Sequence, residues 1–224
     1  MKKEQIVRLT SGLTSPEKGR LATKHYLFEM KSKNLKITTP IQSDSPIARF
    51  GGDAFLPIGC AWPTNSNEEK LTLVFSLPAS FINEHCGIAL SSDMYVSVFS
   101  TYNNDYFLDE VIDNGDIGNF IFENNYTKVL IHKRAENARN ESLTIISAYA
   151  IDTHSNENET MTFIGGNPKF LQSEVQLVHD MKFCFQFYAG DLPLQYTNLL
   201  YLDDAIGYLF IKDNCFGYFF GQCT

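Results

Sequence analysis

Five histidines, His25, His85, His132, His154 and His179, are the side chains best suited to proton transfer or metal ligation near neutral pH. No two of them share a helix face at metal-ligand spacing, and none has a carboxylate placed to complete a ligand pair. The sequence therefore predicts structural or surface roles for them and no metal site. The cysteines Cys60, Cys86, Cys184, Cys215 and Cys223 are odd in number and contain no C-x-x-C pair. That pattern predicts neither a disulfide framework nor a zinc site, and it reads as buried apolar filling. His85-Cys86 is the one adjacent Cys/His pair; on a strand, neighbouring residues point to opposite faces, so the two do not make a nucleophile and its base.

Two glycine pairs, Gly51-Gly52 and Gly165-Gly166, are candidates for close backbone approach to a ligand. Neither is followed by Lys-Ser/Thr, and no G-x-G-x-x-G or G-x-S-x-G motif occurs, so a phosphate loop, a dinucleotide site and a serine-hydrolase elbow are not indicated. Backbone geometry is the expected reason for both pairs. Carboxylates gather at Asp109, Glu110, Asp113 and Asp116, without the alternating positions a Ca²⁺ loop needs. These four are read as a solvated connector or as a protein-docking patch. Asp203-Asp204, ahead of Gly207, reads as turn chemistry in which Asx side chains bond local backbone. No cofactor is expected from any of these groups.

Positioning these groups calls for a β-rich frame. Phe and Tyr number 18 and 11 against one Trp, a composition that suits pleated, half-buried surfaces. Helices are expected over Lys2 to Leu9 and Ser15 to Lys24, the second with Ser15 as N-cap and Pro16 at the first helical position. Strands are expected over His25 to Lys31, Leu35 to Thr38, Leu71 to Leu77, Met94 to Thr101, Asn119 to Glu123, Lys128 to His132, Leu143 to Ile151, Met181 to Tyr188 and Ile206 to Ile211. Between Arg49 and Pro63 lies a turn-rich block anchored by Phe55 and Trp62. A polar stretch from Thr153 to Glu159 reads as a hairpin tip or linker.

The block Phe50-Gly51-Gly52-Asp53-Ala54-Phe55-Leu56 is echoed by Ile164-Gly165-Gly166-Asn167-Pro168-Lys169-Phe170-Leu171, and each block is followed by an apolar strand. The order Gly51-Gly52, Leu56-Pro57, Trp62-Pro63, then Gly165-Gly166-Asn167-Pro168, Gln172, Phe185-Gln186 and Asp204-Ala205-Ile206-Gly207-Tyr208 resembles the YwqG-like family of bacterial domains. The resemblance runs from about Tyr26 to Gln222. It departs at Asp53-Ala54, where the family carries a residue followed by Pro, and at Ser76, where a Gln commonly ends the first core strand. The resemblance implies an α+β fold, largely antiparallel, with a few helices and internal duplication. The expected organisation is one domain over 1–224, with halves of about 26–150 and 151–224 behind an N-terminal helical segment 1–24. Gly51, Gly52, Trp62, Gly165, Gly166, Pro168, Gln186, Asp204 and Gly207 are its structural motif. Some members are similar to immunity proteins that neutralise toxins exchanged between bacteria.

Charge points the same way. Residues 1–36 hold nine Lys/Arg and three Glu, a balance of +6, whereas the rest holds nine cations against 23 acids, a balance of −14. An acidic body repels nucleic acid and favours basic partners. The N-terminus lacks the apolar core of a signal peptide and no apolar run is long enough to span a bilayer, so a cytoplasmic address without membrane or nucleic-acid partners is expected. The functional expectation is a non-catalytic bacterial immunity protein that binds a cognate toxin with a basic docking face. The alternative is an enzyme or small-ligand binder using an aromatic cleft between the halves, near Trp62 and Tyr208.

Overall fold

The computed structural model describes residues 31–102, 111–154, 160–200, 204–212 and 216–224. Its ten strands are β1 Lys33–Pro40, β2 Arg49–Phe50, β3 Thr72–Pro78, β4 Met94–Ser100, β5 Thr127–Lys133, β6 Tyr149–His154, β7 Phe163–Ile164, β8 Lys182–Tyr188, β9 Ile206–Lys212 and β10 Phe216–Gln222. Every neighbouring pair is antiparallel, and the ring closes in the order β1-β6-β2-β3-β4-β5-β10-β9-β8-β7. This corrects the α+β expectation: the described chain is a closed antiparallel β-barrel with a single α-helix, α1 Ala79–Cys86.

The ring order is unchanged when each of β1–β5 is exchanged for the strand five places on. The two five-strand units are interlocked, because β2 pairs with β6 and β7 pairs with β1. Residues 150 and 151, the expected boundary between halves, both lie inside β6.

Closure gives each strand an inner and an outer face, and on β3, β4, β8 and β9 both are covered. Along β9, Leu209 and Ile211 face the interior, while Ile206, Tyr208 and Phe210 belong to an outer cluster with Phe163, Phe183 and Phe220. A second outer cluster joins Ala54, Leu56, Trp62, Leu71, Leu73 and Phe99. Burial on both faces is why these strands read as near-continuous apolar runs rather than clean alternations. The interior is filled by rings: Phe75 has Phe185, Phe187, Phe50 and Phe219 at centroid separations of 4.9, 5.2, 5.6 and 6.3 Å. Gly207 is placed by the same packing. It pairs with Phe187 inside the sheet rather than shaping a turn, and a Cβ there would meet the Phe187 ring at 2.4 Å.

Most expected strands match described ones, with three departures. Asn119 to Glu123 is largely a π-helical turn, Gly118–Phe122. Leu143 to Ala148 is loop ahead of β6. His85-Cys86 lies on α1, where successive side chains also diverge, and the Cys86 thiol donates to the Cys184 carbonyl at 3.7 Å. The expected helices over 2–9 and 15–24 lie outside the described residues, as does the expected strand over 25–31 except for Lys31, which precedes β1.

The glycine pairs form matching corners after the two-residue strands β2 and β7. All four glycines are left-handed, with φ of 68° and 78° at Gly51 and Gly52 and 72° at both Gly165 and Gly166. At each corner the first glycine donates its N–H to a carbonyl where the following long strand bulges: Gly51 to Val74 and Gly165 to Cys184, both at 2.7 Å. A Cβ on Gly51 would sit 2.5 Å from the Ser147 carbonyl oxygen, and one on Gly165 would sit 2.6 Å from that of His85. Gly51→Ala and Gly165→Ala are therefore expected to destabilise by about 1–3 kcal/mol each, while Gly59→Ala, with open space around it, stays within about 0.5 kcal/mol. Urea unfolding of the three variants checks this; equal shifts would contradict the corner geometry.

Candidate functional site

Strand register, rather than sequence proximity, assembles the buried polar side chains. On the outer face of the first unit, Arg49 on β2 pairs across to Ser76 on β3, Ser76 to Ser97 on β4, and His132 on β5 lies diagonally beyond. The matching positions in the second unit are Phe163, Gln186, Tyr208 and Gln222. The two sets use the same places differently.

In the second unit the polar set carries the loop that covers the wall. Gln186 Oε1 accepts the Lys169 N–H at 2.7 Å and its Nε2 donates to the Met161 carbonyl at 3.0 Å. The Tyr208 hydroxyl donates to the Lys169 carbonyl at 3.0 Å and accepts the Leu171 N–H at 3.1 Å. Gln222 Oε1 accepts from Leu171 and Gln172, and its Nε2 donates to Asp113 Oδ2 and the Ser173 carbonyl. Burial pushes the Tyr208 hydroxyl well above the ordinary phenol range, so it remains a neutral donor.

In the first unit the small Ser76 stands where Gln186 stands in the second, and the large Arg49 takes the place of Phe163. Arg49 is fully buried and donates to the carbonyls of Ser45 and Asp53. Burial lowers its guanidinium to about 10 against the opposing pull of Tyr95, Asp53 and Asp44. Among the described residues, its Nε and the Ser76 hydroxyl have no hydrogen-bond partner. The Ser97 hydroxyl lies 2.9 Å from His132 Nε2, and His132 Nδ1 lies 2.8 Å from the Lys133 carbonyl. A carbonyl only accepts, so Nδ1 carries the proton and Nε2 accepts from Ser97. This is a nucleophile and a base at bonding distance. However, Ser97 is 0% and His132 6% exposed, so the pair is walled off from any substrate and binds the sheet together.

An open concavity lies beside the second corner. It is a groove of about 1010 Å³ between the Gly165-Gly166-Asn167-Pro168 loop, the end of α1 and the start of β8. Its apolar lining includes Phe170, Val175, Val178, Met181, Phe183 and Phe210, and its charged lining is Lys31, Lys169, Lys182, Glu174 and His179. Lys182 Nζ donates to the Gly87 carbonyl at 2.6 Å. No serine or cysteine nucleophile with a general base at bonding distance is recorded among the described lining residues.

The residues singled out from sequence are thus distributed rather than gathered. Gly165, Gly166 and Pro168 line the groove, and Gln186 and Tyr208 hold its wall. Gly51 and Gly52 form the other corner. Trp62 donates to the Leu71 carbonyl at 2.8 Å and stands edge-on to Phe99. Trp62 and Tyr208 belong to different apolar clusters. Asp204 accepts from the Thr224 hydroxyl at 2.9 Å. Asp113 shapes an Asx turn with Gly115 and binds Gln222, and Asp116 is exposed. Asp109, Glu110 and Asp203 lie outside the described residues. Sequence reasoning missed the Ser97–His132 pair and the three groove lysines. The available signal for Lys169 was its position inside the second glycine block.

Among the described residues, no group of three or more His, Cys, Asp and Glu is placed to hold a metal ion, and no helix is long and apolar enough to cross a membrane. A scan against protein-family models finds no match, and no curated protein matches the chain.

Burial lowers the His132 pKa from its ordinary 6.5, against the smaller opposing effect of the Lys133 carbonyl. The folded chain resists the proton that the unfolded chain accepts, so this contribution to stability is whole above 6.5 and is lost progressively as pH falls below it toward the folded-state pKa. Urea midpoints should therefore drop between about pH 7.5 and about pH 5.5, with His85 contributing in the same direction. His132→Gln, which installs the residue type found at the matching position of β10, is expected to flatten part of that slope. Parallel slopes for the two proteins would contradict a neutral, buried His132.

Proposed function

We propose that this chain is a non-catalytic binding protein that occupies and neutralises a protein toxin, in the manner of bacterial immunity proteins. The observation that carries the reading is how the reactive side chains are spent. Ser97 and His132 are sealed within the barrel wall, Arg49 is consumed by two loop carbonyls, and Gln186, Tyr208 and Gln222 hold a covering loop. What the molecule offers to a partner is surface. With a formal charge of −8, that surface favours a toxin whose docking face is basic, and long-range attraction then raises the association rate.

Of the acidic connector, Asp116 is exposed, whereas Asp113 has both carboxylate oxygens engaged within the chain. Steering by this segment would come from the charge of its four acids, Asp109, Glu110, Asp113 and Asp116, since the neutral donors on Asp113 leave its charge in place.

Co-expression with the product of the neighbouring reading frame tests the proposal. The expected outcome is protection of the host from that product together with a purified complex of the two. Association should slow as salt rises while dissociation changes little, and Asp109→Asn/Glu110→Gln/Asp116→Asn should slow association further. A neighbouring toxin that is neither bound nor neutralised would overturn the reading.

A further inference from the structure

We propose that the groove beside the Gly165–Gly166 corner binds a small organic anion with a flat aromatic body. This goes beyond the toxin-binding reading and does not depend on it. The chain carries eight more acids than bases, yet the groove sets Lys31, Lys169 and Lys182 against the single carboxylate Glu174. A basic docking face would be repelled here, so a toxin partner and the groove ligand use different surfaces.

The frame that presents these cations is fixed. Gln186 takes the Lys169 N–H and Tyr208 donates to the Lys169 carbonyl, so both backbone groups of that residue are held by buried side chains. Lys182 opens β8 and is tied to Gly87 at the end of α1. Gly165 packs so closely on the His85 carbonyl that the corner admits no side chain. A backbone already held at Lys169 and a Lys182 ammonium already tied to Gly87 leave a ligand less to order on binding than a mobile loop would.

The apolar wall explains why the ligand is more than an inorganic ion. Phe170 and Phe210 are stacked at 6.1 Å with a 7° interplanar angle, and Phe183 stands edge-on to Phe210 at 5.5 Å. Phe210 and Phe183 are buried beneath the half-buried Phe170, so Phe170 is the ring that offers a face, and it favours a further planar ring in offset or edge contact. A volume of about 1010 Å³ lies at the upper end of small-molecule sites and far exceeds a lone phosphate or sulfate. Lysines act as point charges without a fixed fork, so they select the presence of negative charge rather than one anion geometry.

The test titrates the full chain with 8-anilinonaphthalene-1-sulfonate, an aromatic anion whose fluorescence rises on binding, and with N-phenyl-1-naphthylamine, its uncharged analogue. One saturable site for the sulfonate is expected. Its affinity should fall about tenfold in Lys169→Gln/Lys182→Gln and about threefold in Lys31→Gln, whereas the uncharged analogue should bind more weakly and alike to all three proteins. Melting curves accompany the double variant because Lys182 bonds Gly87; if that variant unfolds, the exposed Lys31 decides the outcome. Absence of saturable binding, a sulfonate affinity indifferent to the lysines, or tighter binding of the uncharged analogue would overturn the proposal.

Discussion

The hydrogen bond from the Gly51 amide to the Val74 carbonyl, with its counterpart from Gly165 to Cys184, is the constraint on which the rest of the molecule depends. Each bond forms where a long strand bulges, and each donor is a left-handed glycine pressed against a carbonyl from elsewhere in the chain. The corner turns the chain out of a two-residue strand and sends it over the outer face of the next long strand. That path gives the barrel its second layer: without the covering loops, Phe99 on one wall and Tyr208, Phe210 and Phe220 on the other would face water. A ten-strand ring in which β3, β4, β8 and β9 are buried on both faces is built around two short turns that only glycine fits.

Interlocking makes the two units interdependent. Because β2 completes its sheet with β6 and β7 completes its own with β1, neither unit closes alone. The shared interior, centred on Phe75 and the rings around it, is built from both units. The outer faces are free to differ. One holds Arg49, Ser76, Ser97 and His132, with two buried polar atoms unpaired among the described residues; the other holds Phe163, Gln186, Tyr208 and Gln222, with a loop suspended from the last three. Where the second unit has Gln186 beside Phe163, the first has the short Ser76 beside the long Arg49, so a buried cation stands where the other wall has a well-bonded loop anchor.

Much of this was legible in the sequence, in parts. The glycine blocks identified both corners, and the long apolar runs identified β3, β4, β8 and β9. The short strands β2 and β7 were hidden because two residues carry no periodicity. Strand β10 was missed beside a run of aromatics and glycines, although Gly217 is required there: a Cβ would sit 2.6 Å from the Phe210 carbonyl oxygen. Helix α1 escaped notice because it has neither a side-chain N-cap bond nor acids in its first turn. Ring closure itself was out of reach, since the β1·β6 and β5·β10 pairs join residues far apart in sequence and no local pattern fixes their register. The same holds for Ser97 and His132, brought together by β4 and β5, and for the groove, whose lysines come from three separate segments.

Native-state hydrogen exchange tests the central claim, that the two glycine corners are structural bonds of the closed ring. Amides whose opening needs the whole ring to come apart exchange with the global unfolding free energy. The account predicts that the amides of Gly51 and Gly165 exchange as slowly as the amides of β3 and β8. Exchange of either glycine amide at the rate of exposed loop amides, while β3 and β8 stay protected, would contradict it.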